Sequence, residues 1–143
     1  MSRRLLATIV IAAAGLLVWS ATATAITRFA TPTRNIACAG DKREMRCDIR
    51  VTNATPPPRP ASCNFDWGQA YVITPGKRKG RGLCASDTVL PSPGQRIRIL
   101  RYGTSIRFGP GGQIVCISRR TGLTCRNKAG HGFTLSRQAI RLF

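Results

Sequence analysis

Two pairs of cysteines, Cys38 with Cys47 and Cys116 with Cys125, stand nine residues apart inside short alternating runs. That spacing limits the fold more than any other feature. Over residues 113–117, Ile114 and Cys116 share one face and Val115 and Ile117 the other, because successive strand side chains point to opposite sides. Residues 123–127 form a second such run. Between them Arg119, Arg120, Thr121 and Gly122 read as a tight turn, with Gly122 free to take a positive φ. Cys116 and Cys125 flank the turn symmetrically, so a bridge between them needs no long excursion of the chain.

The first half repeats the design. FATPTRNIAC at 29–38 and FGPGGQIVC at 108–116 share a Phe, a turn with Pro, a polar amide, Ile, one residue and Cys. This reads as an internal duplication, or as the same hairpin grammar reached twice. Pairing Cys38–Cys47 and Cys116–Cys125 leaves Cys63–Cys84, one of the many connectivities that six cysteines allow.

Ser2, Arg3 and Arg4 open the chain with positive charge, residues 5–19 are uncharged and apolar, and Ala23 and Ala25 give an A-x-A pattern. A signal peptide over 1–25, cut after Ala25, is the expectation. A retained membrane anchor is the alternative, since the apolar run is close to spanning length. Residues 26–143 then form one exported domain with all six cysteines, which suits three disulfides in an oxidising compartment, secreted or periplasmic. There is no C-x2-C and only one histidine, His131, so neither a metal nor a cofactor is expected.

No long helical periodicity occurs. The expected fold is all-β: seven to nine short strands in a disulfide-stapled barrel or sandwich. Residues 53–60, NATPPPRP, lack too many donors to enter a ladder and read as a stiff extended loop. Trp67 reads as a core anchor more than as a sugar platform. Residues 75–82, PGKRKGRG, read as a mobile loop. Residues 95–108 carry the clearest alternation and read as a strand, with Ile97 and Ile99 on one face and Arg96 and Arg98 on the other. Ser136 suits a helical cap, and 140–143 suit a turn of helix or a terminal strand.

The chain resembles a family of small exported, cysteine-rich bacterial domains of unknown function. The residues that carry this are F-x-T-P-x-x-N-I-x-C at 29–38, R-C-D-I at 46–49, S-C-x-x-D-W-G-Q at 62–69, C-A-x-D-T at 84–88, T-G-L-T-C-R-N at 121–127 and G-H-G-F-x-L-S-R at 130–137 with R-L-F at 141–143. Arg34 departs from it, standing where such sequences usually carry glycine. The resemblance implies export and a single domain, and brings no activity.

Chemistry is narrowed by charge. After Ala25 there are 21 basic and five acidic residues, a net charge of +16. His131 is a lone imidazole, and Asp41, Glu44, Asp48, Asp66 and Asp87 form no spaced carboxylate pair. A ribonuclease-like set of His131, Glu44 and an arginine is conceivable, but no spacing joins them, and a non-enzymatic protein is expected. A polyanion suits the excess of arginine, whose planar fork matches phosphate. The candidate anion-binding residues are Lys77, Arg78, Lys79, Arg81, Arg96, Arg98, Arg107, Arg119 and Arg120. The expected partner is an anionic envelope polymer or lipid surface, with no small-molecule substrate indicated. The alternative is an interaction or inhibitor module with an acidic protein partner.

Overall fold

The computed structural model describes residues 26–143. The expected signal peptide over 1–25 lies outside them. Among the described residues there are ten strands and no helix. Sheet A is built in chain order from β1 (Thr27–Ala30), β2 (Ile36–Gly40), β3 (Met45–Ile49), β4 (Asp66–Ile73) and β5 (Arg81–Ala85). Sheet B follows with β6 (Ser105–Phe108), β7 (Ile114–Arg119), β8 (Gly122–Asn127), β9 (Gly132–Leu135) and β10 (Ile140–Leu142). Each is an antiparallel meander, and the two pack face to face as an open sandwich, not a closed barrel. The strands outnumber the expected seven to nine because several are only three or four residues long. Ser136 caps no helix: its hydroxyl accepts from the Ala139 amide and closes the tight turn before β10.

Three disulfides form with the expected pairing, Cys38–Cys47, Cys63–Cys84 and Cys116–Cys125. The two nine-residue bridges join directly opposed residues of neighbouring strands, with Cα atoms 4.1 and 4.0 Å apart. Strand registers place each bridge in the middle of an inward-facing row. In sheet A the row runs Phe29, Cys38, Cys47, Tyr71; in sheet B it runs Ile106, Cys116, Cys125, Phe133. The rows meet: Cys47 Sγ lies 3.8 Å from Cys125 Sγ, and the Tyr71 and Phe133 ring centres are 6.4 Å apart. Cys47 and Cys125 thus hold equivalent places in two similar sheets. The Phe of the sequence echo does not. Phe29 faces Cys38, whereas Phe108 faces Ile114 and leaves Ile106 opposite Cys116: both turns have five residues, but Phe29 is the last but one residue of its strand and Phe108 is the last. The two rings still stack across the core at 5.9 Å.

The strand expected over 95–108 is a strand only at β6. Residues 95–100 carry the chain from sheet A to sheet B and touch β1 at a single parallel bridge, Ala30 with Ile99. Leu100 is the residue that enters the core, while Ile99 remains exposed. A crossing segment has no partner strand to enforce a period of two, so the residue at the sheet junction turns inward.

A strap over the outer face of sheet A explains two motifs at once. Asp48, buried on that face of β3, accepts hydrogen bonds from Arg46 Nε at 2.8 Å, Thr88 Oγ1 at 2.8 Å and the Val89 amide at 3.0 Å. Arg46 also donates to the Asp87 carboxylate at 2.7 Å. The R-C-D-I and C-A-x-D-T residues are therefore two halves of one latch. Burial disfavours the Arg46 cation, but its bonds to Asp48 and Asp87 outweigh this and raise its pKa. The Arg46 guanidinium in turn lowers that of exposed Asp87. Trp67 is held as an anchor: its Nε1 donates to the Pro57 carbonyl at 2.7 Å, and its ring lies against Gly82, where any side chain would collide with it. The proline loop is thereby tied down onto β4.

Replacing Asp48 by Asn removes the charge and leaves Arg46 and Val89 poorly paired, so stability should fall by about 2–4 kcal/mol. Urea unfolding under non-reducing conditions measures this, and an unchanged midpoint would refute the latch. Tyr71 gives a pH prediction. Burial pushes its phenol up to about 12 from 10.0. Folding is favoured by the neutral phenol, so this contribution is fully present below pH 10 and lost as pH rises toward 12. The unfolding midpoint should drop across that window in the wild type and drop less in Tyr71→Phe.

Candidate functional site

Among the described residues the cations are almost all unpaired: Arg46 alone makes ion pairs. The five acids all lie at 41–87, and none follows in 88–143, where ten arginines and lysines occur. Sheet B and its turns are therefore free of acidic side chains. Strand parity sorts its side chains. Inward-facing Cys116 and Cys125 fix Val115 and Arg126 as outward, and the registers set Arg107, Val115 and Arg126 side by side on β6, β7 and β8. A second outward row runs Ser105, Ile117, Thr124, Thr134, Arg141 across all five strands, with Thr124 and Thr134 hydroxyls 2.9 Å apart. Beside the first row, Arg107, Arg126 and Lys128 line a depression of about 320 Å³ with Gly111 and Gly112. Both glycines have positive φ, and a side chain at Gly112 would press on Arg107.

The candidate residues separate into four places. Arg107 belongs to the sheet B face. Arg96 and Arg98 sit on the crossing segment beside β1, not on a strand shared with Arg107 as the alternation implied. Lys77, Arg78, Lys79 and Arg81 follow β4, and this stretch is not the free loop expected. Asn127 Nδ2 donates to the Thr74 and Arg78 carbonyls, the Gly80 amide donates to the Phe143 carbonyl, and Arg81 opens β5. Its backbone is tied at both ends while its cationic side chains are exposed.

Arg119 and Arg120 occupy the fourth place, a concave cleft of about 340 Å³ at one end of the sandwich. Three turns meet there, β1–β2, β7–β8 and β9–β10. The lining includes Thr33, Tyr102, Thr121, Arg137 and Gln138 beside the two arginines. The Arg120 guanidinium lies over the Tyr102 ring, 5.2 Å from its centre. Gly122 has φ +138°, and any side chain there would strike the Leu135 carbonyl, so its bare Cα lets the β9–β10 turn close on β8. Sequence reasoning missed Arg126, Lys128, Arg137 and Arg141. Parity counted from Cys125 would have placed Arg126 outward; nothing local pointed to Arg137.

His131 has no carboxylate hydrogen-bonded to it. Its backbone amide donates to Asn127 Oδ1 and its carbonyl accepts from the Asn127 amide, so its motif position closes the β8–β9 turn. Glu44 lines a separate depression with Arg28 and Arg43. The sulfurs of Cys38, Cys47 and Cys125 cluster in the core, but each is oxidised and offers no thiolate. Ser118 Oγ is buried without a hydrogen-bond partner; nothing in the structure explains it.

The model of a family described as "Family of unknown function (DUF6636)" matches residues 5–143. The chain belongs to DUF6636. No curated protein and no solved structure matches it. In this DUF6636 chain the residues that looked motif-like have structural duties: Asn35 bonds both the amide and the carbonyl of Val51, and Asp48 and Asp87 build the latch. Its three disulfides are consistent with an extracellular or periplasmic location.

Arg34, where glycine was expected, has φ +56°, in the left-handed region that costs an L-residue about 1–2 kcal/mol. Arg34→Gly should therefore leave this DUF6636 domain at least as stable, by up to about 1 kcal/mol, after the greater freedom of unfolded glycine is counted. Arg34→Val should destabilise it. Thermal unfolding of the three proteins checks the order.

Proposed function

We propose that this protein is an exported, non-enzymatic binding domain for anionic envelope polymers. The observation that supports it is the carboxylate-free outer face of sheet B, where Arg107 and Arg126 flank Val115 on three adjacent strands. Lys128 and Arg141 extend the same surface. A strand fixes the backbone and the outward direction of each of these residues, so little backbone freedom is left to lose on binding. Arginine donates two parallel hydrogen bonds to a phosphate or sulfate group, which suits a polymer of repeating anions better than a single carboxylate. The near absence of ion pairs leaves these donors available. Export rests on the A-x-A pattern after an apolar run and on three disulfides. The non-enzymatic reading is supported by His131 having no carboxylate hydrogen-bonded to it.

Heparin binding measured against salt is the test. Log affinity should fall linearly with log salt, as counterion release requires. Changing Arg107, Arg126 and Lys128 to Gln should flatten that slope by about one per lost contact. Changing Lys77, Arg78, Lys79 and Arg81 should flatten it less. Binding that ignores salt, or none at low salt, would refute the polyanion reading and favour an acidic protein partner.

A further inference from the structure

The cleft at the turn end differs from the sheet face in shape and in chemistry. The face is a flat arginine surface on which a polymer can lie in many registers. The cleft is concave, and its 340 Å³ falls at the lower end of volumes typical of small-molecule sites. Three guanidiniums, Arg119, Arg120 and Arg137, line it, and no carboxylate does. The Arg120 guanidinium is steadied by a cation–π contact, lying over the Tyr102 ring.

Arginine only donates. Thr33, Thr121 and Gln138 add groups that both donate and accept, which a ligand bearing hydroxyls requires. The walls are also fixed. The Arg137 carbonyl accepts from the Asn53 amide and from Thr52 Oγ1, and Ser136 and Ala139 bond each other across their turn. Arg34 adds a cation to the β1–β2 turn at a backbone conformation suited to glycine.

We infer that this cleft binds one phosphate-bearing polyol unit, with the three arginines on the phosphate and the threonine and glutamine side chains on the hydroxyls. A tetrahedral phosphate presents more acceptor oxygens than a carboxylate and satisfies several guanidiniums at once. The inference rests on the polyanion reading and refines it: the sheet face holds the polymer, and the cleft recognises a single unit. The unit is a free phosphomonoester or one repeat of a phosphodiester polymer, since both place phosphate oxygens beside hydroxyls.

The experiment is a titration of the exported protein with glycerol 3-phosphate, followed by amide chemical shifts. Inorganic phosphate and glycerol serve as comparisons, and heparin binding is measured in parallel. Saturable shifts should be confined to the three turns around Thr33, Thr121 and Gln138, and neither inorganic phosphate nor glycerol should bind as tightly. Arg120→Ala with Arg137→Ala should weaken glycerol 3-phosphate by about tenfold or more, while the salt slope for heparin keeps its wild-type value. A phosphodiester-linked glycerol oligomer that binds more tightly than the monomer would assign the source to a polymer; the reverse order would assign it to the free ester. Inorganic phosphate binding equally well would overturn the polyol assignment. Heparin binding without any cleft shifts would overturn this inference alone, and loss of both would remove the polyanion reading with it.

Discussion

Two disulfides in contact at the centre of the sandwich are the feature on which the rest of the structure depends. Cys47 and Cys125 sulfurs lie 3.8 Å apart, each at the middle of its sheet and each next to a buried aromatic ring. The contact is oxidised sulfur on oxidised sulfur, so it adds dispersion and no hydrogen bond. Its value lies in position. Each bridge fixes the register of one hairpin, and around this contact the sheets meet again where Tyr71 packs on Phe133 and Phe29 on Phe108. In the chain-entropy model each short loop contributes about 2.5–3 kcal/mol. That is a large share of the stability of a domain this small, and it opposes the repulsion of a net +16.

Charge is divided between the sheets, and the division has structural consequences. Sheet A, its turns and the 86–91 strap carry all the acids, and the strap covers the sheet's outer face through Asp48 and Arg46. Sheet B has none, so nothing neutralises its arginines and no strap covers them. A like-charged surface of this kind costs stability through self-repulsion. The same similarity of the two sheets that suggests duplication makes the contrast sharper: the inner rows correspond closely, and the outer faces do not.

The strands and bridges could be read from local pattern because they depend on local physics. A period of two around Cys116 and Cys125 fixes which residues face inward, and a nine-residue spacing fixes which sulfurs can meet across a tight turn. The same pattern misled over 95–100, where alternation is present but no neighbouring strand enforces it, and Leu100 is buried in place of Ile99. It also misled over the echo of Phe29 and Phe108, because one residue fewer between Phe and Cys changes the cross-strand partner while both turns keep five residues. The basic loop after β4 looked independent in sequence; Asn127, about fifty residues away, holds it.

What the sequence determined by itself was the all-β class, the three disulfides and the excess of positive charge. Each follows from residue type, parity or short-range spacing. Tertiary structure decided where the charge is presented. Arg107 and Arg126 become neighbours only through two strand registers, and Arg137 joins Arg119 and Arg120 only because Gly122 lets the β9–β10 turn approach β8. Contacts between residues far apart in the chain depend on how turns close and sheets stack, and those are set by packing of the whole core, which no local pattern records.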